Sequence, residues 1–145
     1  WSTVEETTVD GMESSWRTNT LGLLVASQQV IPAMKSRASG SIVVIGATAS
    51  LRGGANSTAF ASAKSAQRSL AQSMARRLGP MGIHVSYVII DGIIDLERTR
   101  AARPDVTDDY YLQPEDIAQS VYELTCQHRS AWTFELDLRP FGEKW

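Results

Sequence analysis

The sequence predicts an α/β domain organised around a mostly parallel β-sheet. Three observations carry this. "SIVVI", residues 41–45, is a β-branched run so apolar that it suits a strand covered on both faces. "IHVSYVII", residues 83–90, is a second clear strand, and residues 58–78 between the two repeat apolar positions at helical spacing. Strand, loop, helix and strand in that order make a βαβ unit, whose two strands run parallel.

The elements follow in order. Residues 1–11 are polar, rich in Thr and Glu, and read as a loop leading into a helix. A helical pattern then runs over 12–36 through Trp16, Leu23, Leu24, Ile31 and Met34, with Pro32 expected to bend it near its end. Ser39-Gly40 closes it. After the strand at 41–45, residues 46–57 form a loop of glycine and small residues. The helix at 58–78 carries Ala59, Ala63, Ala66, Leu70, Met74 and Leu78 on one stripe, and Gly79-Pro80 stops it. Residues 91–107 read as an irregular, charged segment of the kind that forms a flap. Pro114 and the acids after it start a further helix, with Ile117, Val121 and Leu124 as its buried stripe. Residues 132–138 alternate as a last strand. No linker or internal repeat divides the 145 residues, so a single domain spanning 1–145 is expected.

Composition narrows the classes of function. A net charge of −2 offers no basic footprint for nucleic acid, and the arginine groups at 76–77 and 98–103 read as solvated side chains. No apolar run is long enough to span a membrane. The single cysteine, Cys126, excludes an internal disulfide and fits a reducing, cytoplasmic compartment. Cys126 and His128 lie two residues apart without further ligands, so no metal is expected. His84 reads as a hydrogen-bonded structural residue. Trp1, Trp16, Trp132 and Trp145 read as packing or interface residues, and the sequon at Asn56 as chance.

In a parallel sheet ligands sit at the carboxyl ends of the strands, which directs attention to residues 46–50 and 90–95. There the residues resemble a known family. "RTNTLG", "GSIVVIGATAS", "FASAKSAQRSLAQSMARRLGPMGIHV", "DGIID" and "QPEDIAQSVYEL", in that order, are similar to the short-chain dehydrogenase/reductase family over nearly the whole chain. The resemblance implies a Rossmann-like doubly wound sheet, NAD or NADP as cofactor, a small carbonyl or alcohol substrate, and a homo-oligomer built through the helices at 12–36 and 58–78.

It also implies roles. Asn19, with Gly22 three residues on, matches the family's Asn-x-x-Gly motif, whose asparagine supports a water-linked proton path to the lysine. Lys64 matches that lysine, which holds the nicotinamide ribose. Read alone, both are ordinary surface residues of helices. The family's general-acid tyrosine falls on Phe60, which has no exchangeable proton, and its serine, thirteen residues earlier, falls on Ala47. Loss of a positioned general acid costs about 100- to 10,000-fold in rate. Thr48 is the candidate substitute hydroxyl. Ser50, Ser57, Thr58, Ser62 and Tyr87 lie near, and Asp91 and Asp95 are either bases or loop caps. Gly46 and the Asp91-Gly92 pair, where the family has a Pro-Gly turn, are expected beside the cofactor.

No G-x-G-x-x-G occurs, and Gly53-Gly54 lacks its spacing. With Trp1 as first residue, the chain reads as the carboxyl-terminal part of such a domain, without the amino-terminal phosphate-binding half and with a sheet edge that needs cover. Three functions stay open: an oxidoreductase whose proton comes from water or a substitute hydroxyl, a catalytically silent relative serving nucleotide sensing or protein association, and a phenylalanine-bearing subfamily in which Phe60 lines an apolar substrate pocket.

Overall fold

The computed structural model of the chain describes residues 1–143. Five helices and five strands follow in the order α1 (Val9–Trp16), α2 (Gly22–Ser36), β1 (Gly40–Ala47), α3 (Thr58–Leu78), β2 (Ile83–Ile90), β3 (Ile93–Ile94), α4 (Glu97–Ala102), β4 (Tyr111–Leu112), α5 (Pro114–Cys126) and β5 (Glu135–Leu138). The main sheet is parallel, with strand order β1-β2-β5, and β3 and β4 pair separately, also in parallel.

β2 is the central strand, and all eight of its residues are buried. Ile83, Val85, Tyr87 and Ile89 face α2 and α3, where they meet Leu23, Ile31, Met34, Ala71, Met74 and Leu78. Val88 and Ile90 face the other way, onto Leu124, Ile117 and Val121 of α5 and Leu112 of β4. This is the two-sided cover expected of a parallel strand. β1 departs from that expectation. It pairs with β2 along its whole length, from Gly40 with Ile83 to Ala47 with Ile90, yet Ile45 is 43% exposed. β1 lies at the edge of the sheet among the described residues, so its outer positions have cover on fewer sides.

The helix expected over 12–36 is two helices joined by a π-turn. Thr8 caps α1 by accepting the Gly11 N–H at 3.0 Å, which starts the helix at Val9. At Arg17–Leu21 the backbone widens, and the Gly22 N–H bonds the Arg17 carbonyl five residues back. Pro32 lies inside α2, which continues to Ser36.

The buried stripe of α3 is Ala63, Gln67, Ala71, Met74 and Leu78, with Ala61. Gln67 and Ala71 take the places expected of Ala66 and Leu70, one residue over, Ala61 is buried where Ala59 was expected, and the stripe includes a polar side chain. Beyond α3 the chain turns at Gly82, whose φ of 79° lies in the left-handed region. The segment expected as an irregular flap is β3 and α4, tied together by Arg100, which meets Asp95 at 2.5 and 2.7 Å and Asp108 at 2.7 Å. Arg68 clamps α3 to β5 through both oxygens of Glu135, at 2.6 and 3.0 Å.

Candidate functional site

The carboxyl ends of β1 and β2 hold two polar clusters, joined by the single 3₁₀ turn Thr48–Ser50. The first is built from α3. Lys64 and Gln67, one turn apart, point to the same side of that helix. Lys64 Nζ donates to the Ile45 carbonyl at 2.9 Å and to Gln67 Oε1 at 3.1 Å. Gln67 Nε2 donates to the main-chain oxygen of Asn19 at 3.0 Å. The Tyr87 hydroxyl completes the group, 3.4 Å from Gln67 Oε1 and 3.4 Å from the Lys64 carbonyl, with Ser50 as a further side-chain partner.

Electrostatics follow from burial. Desolvation alone lowers the Lys64 pKa below the ordinary lysine value. Burial likewise pushes the Tyr87 phenol up, against a smaller opposing effect of its Ser50 hydrogen bond. Tyr87 is fully enclosed, so its hydroxyl meets protein and not a substrate.

Asn19 sits in the π-turn. Its carboxamide donates to the Ser15 carbonyl at 2.9 Å, and its main chain, not its side chain, reaches Gln67. The flanking hydroxyls anchor the turn on α3: Ser15 donates to the Ala59 carbonyl at 3.3 Å and Thr20 to the Ala63 carbonyl at 3.0 Å.

The second cluster spans three strand ends. The Thr48 hydroxyl donates to Asp91 Oδ1. Arg139 Nη2 donates to Asp91 Oδ2 at 2.6 Å and to Asp137 at 3.0 Å. Asp91 and Arg139 are both largely buried, so this is an ion pair shielded from solvent. Asp95 belongs to the structural clamp described above. Its carboxyl is held below the usual carboxylate range by Arg100 first and Gln113 second.

Phe60 lies between two other groups. Its ring centroid is 5.9 Å from Lys64 Nζ and 5.5 Å from the ring of Trp1. It lines a recess of about 320 Å³ together with Trp1, Glu6, Thr7, Ser15 and Ser57. Gly46 and Gly92 are both packing glycines: a Cβ on Gly46 would stand 2.2 Å from Tyr87 Cε1, and one on Gly92 2.6 Å from Pro140 Cδ. Ala47 offers no functional group.

The remaining candidates are structural. His84 is buried, shares the Thr133 carbonyl with Ser86, and stacks on Trp132 at 4.8 Å. Trp16 is exposed, as is Cys126. Trp145 lies outside the described residues. Among the described residues no group of three or more His, Cys, Asp or Glu side chains is placed to hold a metal, and no helix is long and apolar enough to cross a membrane. Gln67 and Arg139 are the two site residues that the sequence reading missed. For Gln67 a signal existed: a polar residue on the stripe 63, 67, 71, 74 and 78.

The chain as a whole has counterparts among known proteins. A family model described as short chain dehydrogenase matches residues 2–107. The chain belongs to the short-chain dehydrogenase/reductase family. An uncharacterized oxidoreductase of Staphylococcus aureus is 28% identical over 139 residues, which is 96% of this chain and 59% of that protein. The crystal structure of a short-chain dehydrogenase from Rhodopseudomonas palustris is 36% identical, with a TM-score of 0.78 over 96% of this chain and 56% of that one. A serine dehydrogenase in its closed form with NADP+ has the same fold, with a TM-score of 0.87 at 19% identity over 99% of this chain and 61% of that one. The chain thus spans a little over half the length of these short-chain dehydrogenase/reductase relatives.

Proposed function

We propose that this short-chain dehydrogenase/reductase is an NAD- or NADP-linked oxidoreductase acting on a small carbonyl or alcohol, with the proton carried by Thr48 and Asp91. The observation that carries the reading is the Thr48–Asp91 hydrogen bond at the carboxyl ends of β1 and β2. It stands at the same sheet end as Lys64, where ligands of parallel sheets bind.

The residues fit the ribose end of a nicotinamide cofactor. An ammonium has three N–H donors, and the Ile45 carbonyl and Gln67 occupy two of Lys64's. The third would serve a ribose hydroxyl. When bound, the nicotinamide supplies the hydride chemistry.

The chain's own residues handle the proton. In the oxidative direction Thr48 Oγ accepts the substrate's hydroxyl proton as its own passes to Asp91 Oδ1, so the threonine ends neutral and the carboxylate gains one proton. The reductive direction runs the same transfers backwards. Arg139 holds the Asp91 carboxylate in place, and Phe60 adds an apolar wall to the recess it shares with Trp1 and Ser57.

Support for the cofactor comes from family membership and from the NADP+ complex of the serine dehydrogenase with this fold. A cytoplasmic location is part of the proposal, in keeping with the single cysteine. The test is binding of NADH and NADPH by the protein as the cell makes it, followed by turnover on a panel of aldehydes and ketones. Binding with turnover that Thr48→Val abolishes supports the reading. Failure to bind either nucleotide overturns it.

A second reading, association without catalysis, rests on the apolar surface of α1 and α2. Val9, Met12, Trp16, Val25 and Val30 are exposed there. We expect this surface to join two copies of the chain. A monomer by gel filtration and light scattering removes that expectation.

A further inference from the structure

We propose that Gln67 is a positioning residue that holds the Lys64 ammonium at the end of β1 by tying it to the main chain of Asn19. The proposal rests on the reading of Lys64 as the ribose-binding lysine.

The orientation of the Gln67 amide is determined by its partners. The Asn19 carbonyl can only accept and the Lys64 ammonium can only donate, so Nε2 must face Asn19 and Oε1 must face Lys64. Flipping the amide would set a donor against a donor and an acceptor against an acceptor. Gln67 itself is 8% exposed, so it is a buried dipole with both ends matched. Its partners come from two helices and the site between them, since Asn19 belongs to the π-turn before α2 and Lys64 to α3. A leucine of similar size would fill the space, but it would leave the lysine one acceptor short.

Other groups about Lys64 do not supply this contact. The Ile45 carbonyl accepts one bond, and the Phe60 ring stands 5.9 Å away. From β2 comes the Tyr87 phenol, which bonds to Gln67 and not to the ammonium. The Arg68–Glu135 pair between α3 and β5 acts on Tyr87, whereas burial is what lowers Lys64. Gln67 Oε1 is therefore the side-chain acceptor that holds the Lys64 ammonium in place, at 3.1 Å.

The test is competitive acetylation of lysines across pH, read by peptide mass spectrometry, in the wild type, Gln67→Leu and Gln67→Glu. The chain has lysines only at 35, 64 and 144, so exposed Lys35 serves as internal reference. Expected is a Lys64 midpoint that falls in Gln67→Leu, which removes an acceptor, and rises in Gln67→Glu, which adds a charge. Each change should be about tenfold in the protonation constant, or one pH unit. Equal midpoints in all three proteins, or both variants moving the same way, overturn the proposal. In the wild type, which needs no variant to fold, the Gln67 carboxamide 15N–1H signals should shift with the Lys64 midpoint, and their failure to move would also overturn it. NADH and NADPH binding is measured alongside. Coupled titration without binding removes the oxidoreductase function while supporting the positioning, and binding without coupling does the reverse.

Discussion

Residue 46 has no room for a side chain because the ring of Tyr87 occupies it. A Cβ there would meet Cε1 at 2.2 Å, Cζ at 2.4 Å and the hydroxyl at 2.6 Å. Tyr87 reaches across from β2, where its register partner is Val44, and lies over β1 toward the sheet's carboxyl end. The atoms in the way are a buried aromatic ring, which cannot swing aside as a flexible chain end would. Gly46→Ala is expected to destabilise by about 1–3 kcal/mol through overpacking. In a Tyr87→Leu background the same change should cost less, and the double-mutant cycle in urea measures the coupling. Equal costs in both backgrounds would remove this account of the glycine.

Thr48→Val keeps the shape of residue 48 and removes its hydroxyl. If Thr48 and Asp91 carry the proton, kcat/KM on a carbonyl substrate should fall by about 100- to 10,000-fold. Adding Phe60→Tyr in the same protein supplies a phenol next to Lys64 and should restore part of that loss. Steady-state kinetics on the two variants and the double variant decide it. Full activity in Thr48→Val alone would place the proton elsewhere.

Asp91→Asn breaks the shielded ion pair with Arg139. Leaving one member of a buried pair typically costs about 3–5 kcal/mol. The lower end is expected, because Arg139 also bonds Asp137 at 3.0 Å. Thermal unfolding of this variant beside Asp137→Asn separates the two carboxylates. A loss no larger for residue 91 than for residue 137 would assign Asp91 no special part in the fold.

Stability should respond to alkali in two opposite ways. The folded-state pKa of Lys64 lies below its unfolded value of 10.5, so the unfolded chain binds more protons and stability rises with pH as Lys64 deprotonates, up to about that value. The folded-state pKa of Tyr87 lies above 10.0, so its contribution is whole below pH 10.0 and is lost above it. Lys64→Met should flatten the rise and Tyr87→Phe the fall. Urea midpoints followed from neutral to strongly alkaline pH give both slopes, and a rise that survives in Lys64→Met would assign it to another group.

What could be read from the sequence was what depends on near neighbours. β2 announced itself through eight successive residues that are all buried, and α5 through Pro114 and a stripe at Ile117, Val121 and Leu124. Lys64 and Asn19 stood out by motif, and the structure brings them together through a residue that no motif marked. Gln67 and Arg139 take their meaning from partners 48 residues away in sequence, Asn19 and Asp91 respectively. Spacing along the chain carries no trace of such contacts. Ile45 was misjudged for a related reason, because the cover on an edge strand depends on what lies beside it and not on its own apolar side chains.

The π-turn at Arg17–Leu21 solves a counting problem between two helices. Ser15 and Thr20 are five residues apart, but the carbonyls they bond, on Ala59 and Ala63, are four apart. On a uniform α-helix, at about 100° per residue, five steps would leave the two hydroxyls about 140° out of phase, whereas four steps leave the carbonyls only about 40° apart. One surplus residue wound into the wide turn absorbs the mismatch, as a leap day keeps a calendar in step. Deleting Arg17 or Thr18 would therefore mend the helix and leave Ser15 and Thr20 four apart, in step with the carbonyls of Ala59 and Ala63. The π-turn is thus where the chain stores a residue that the contacts with α3 do not need.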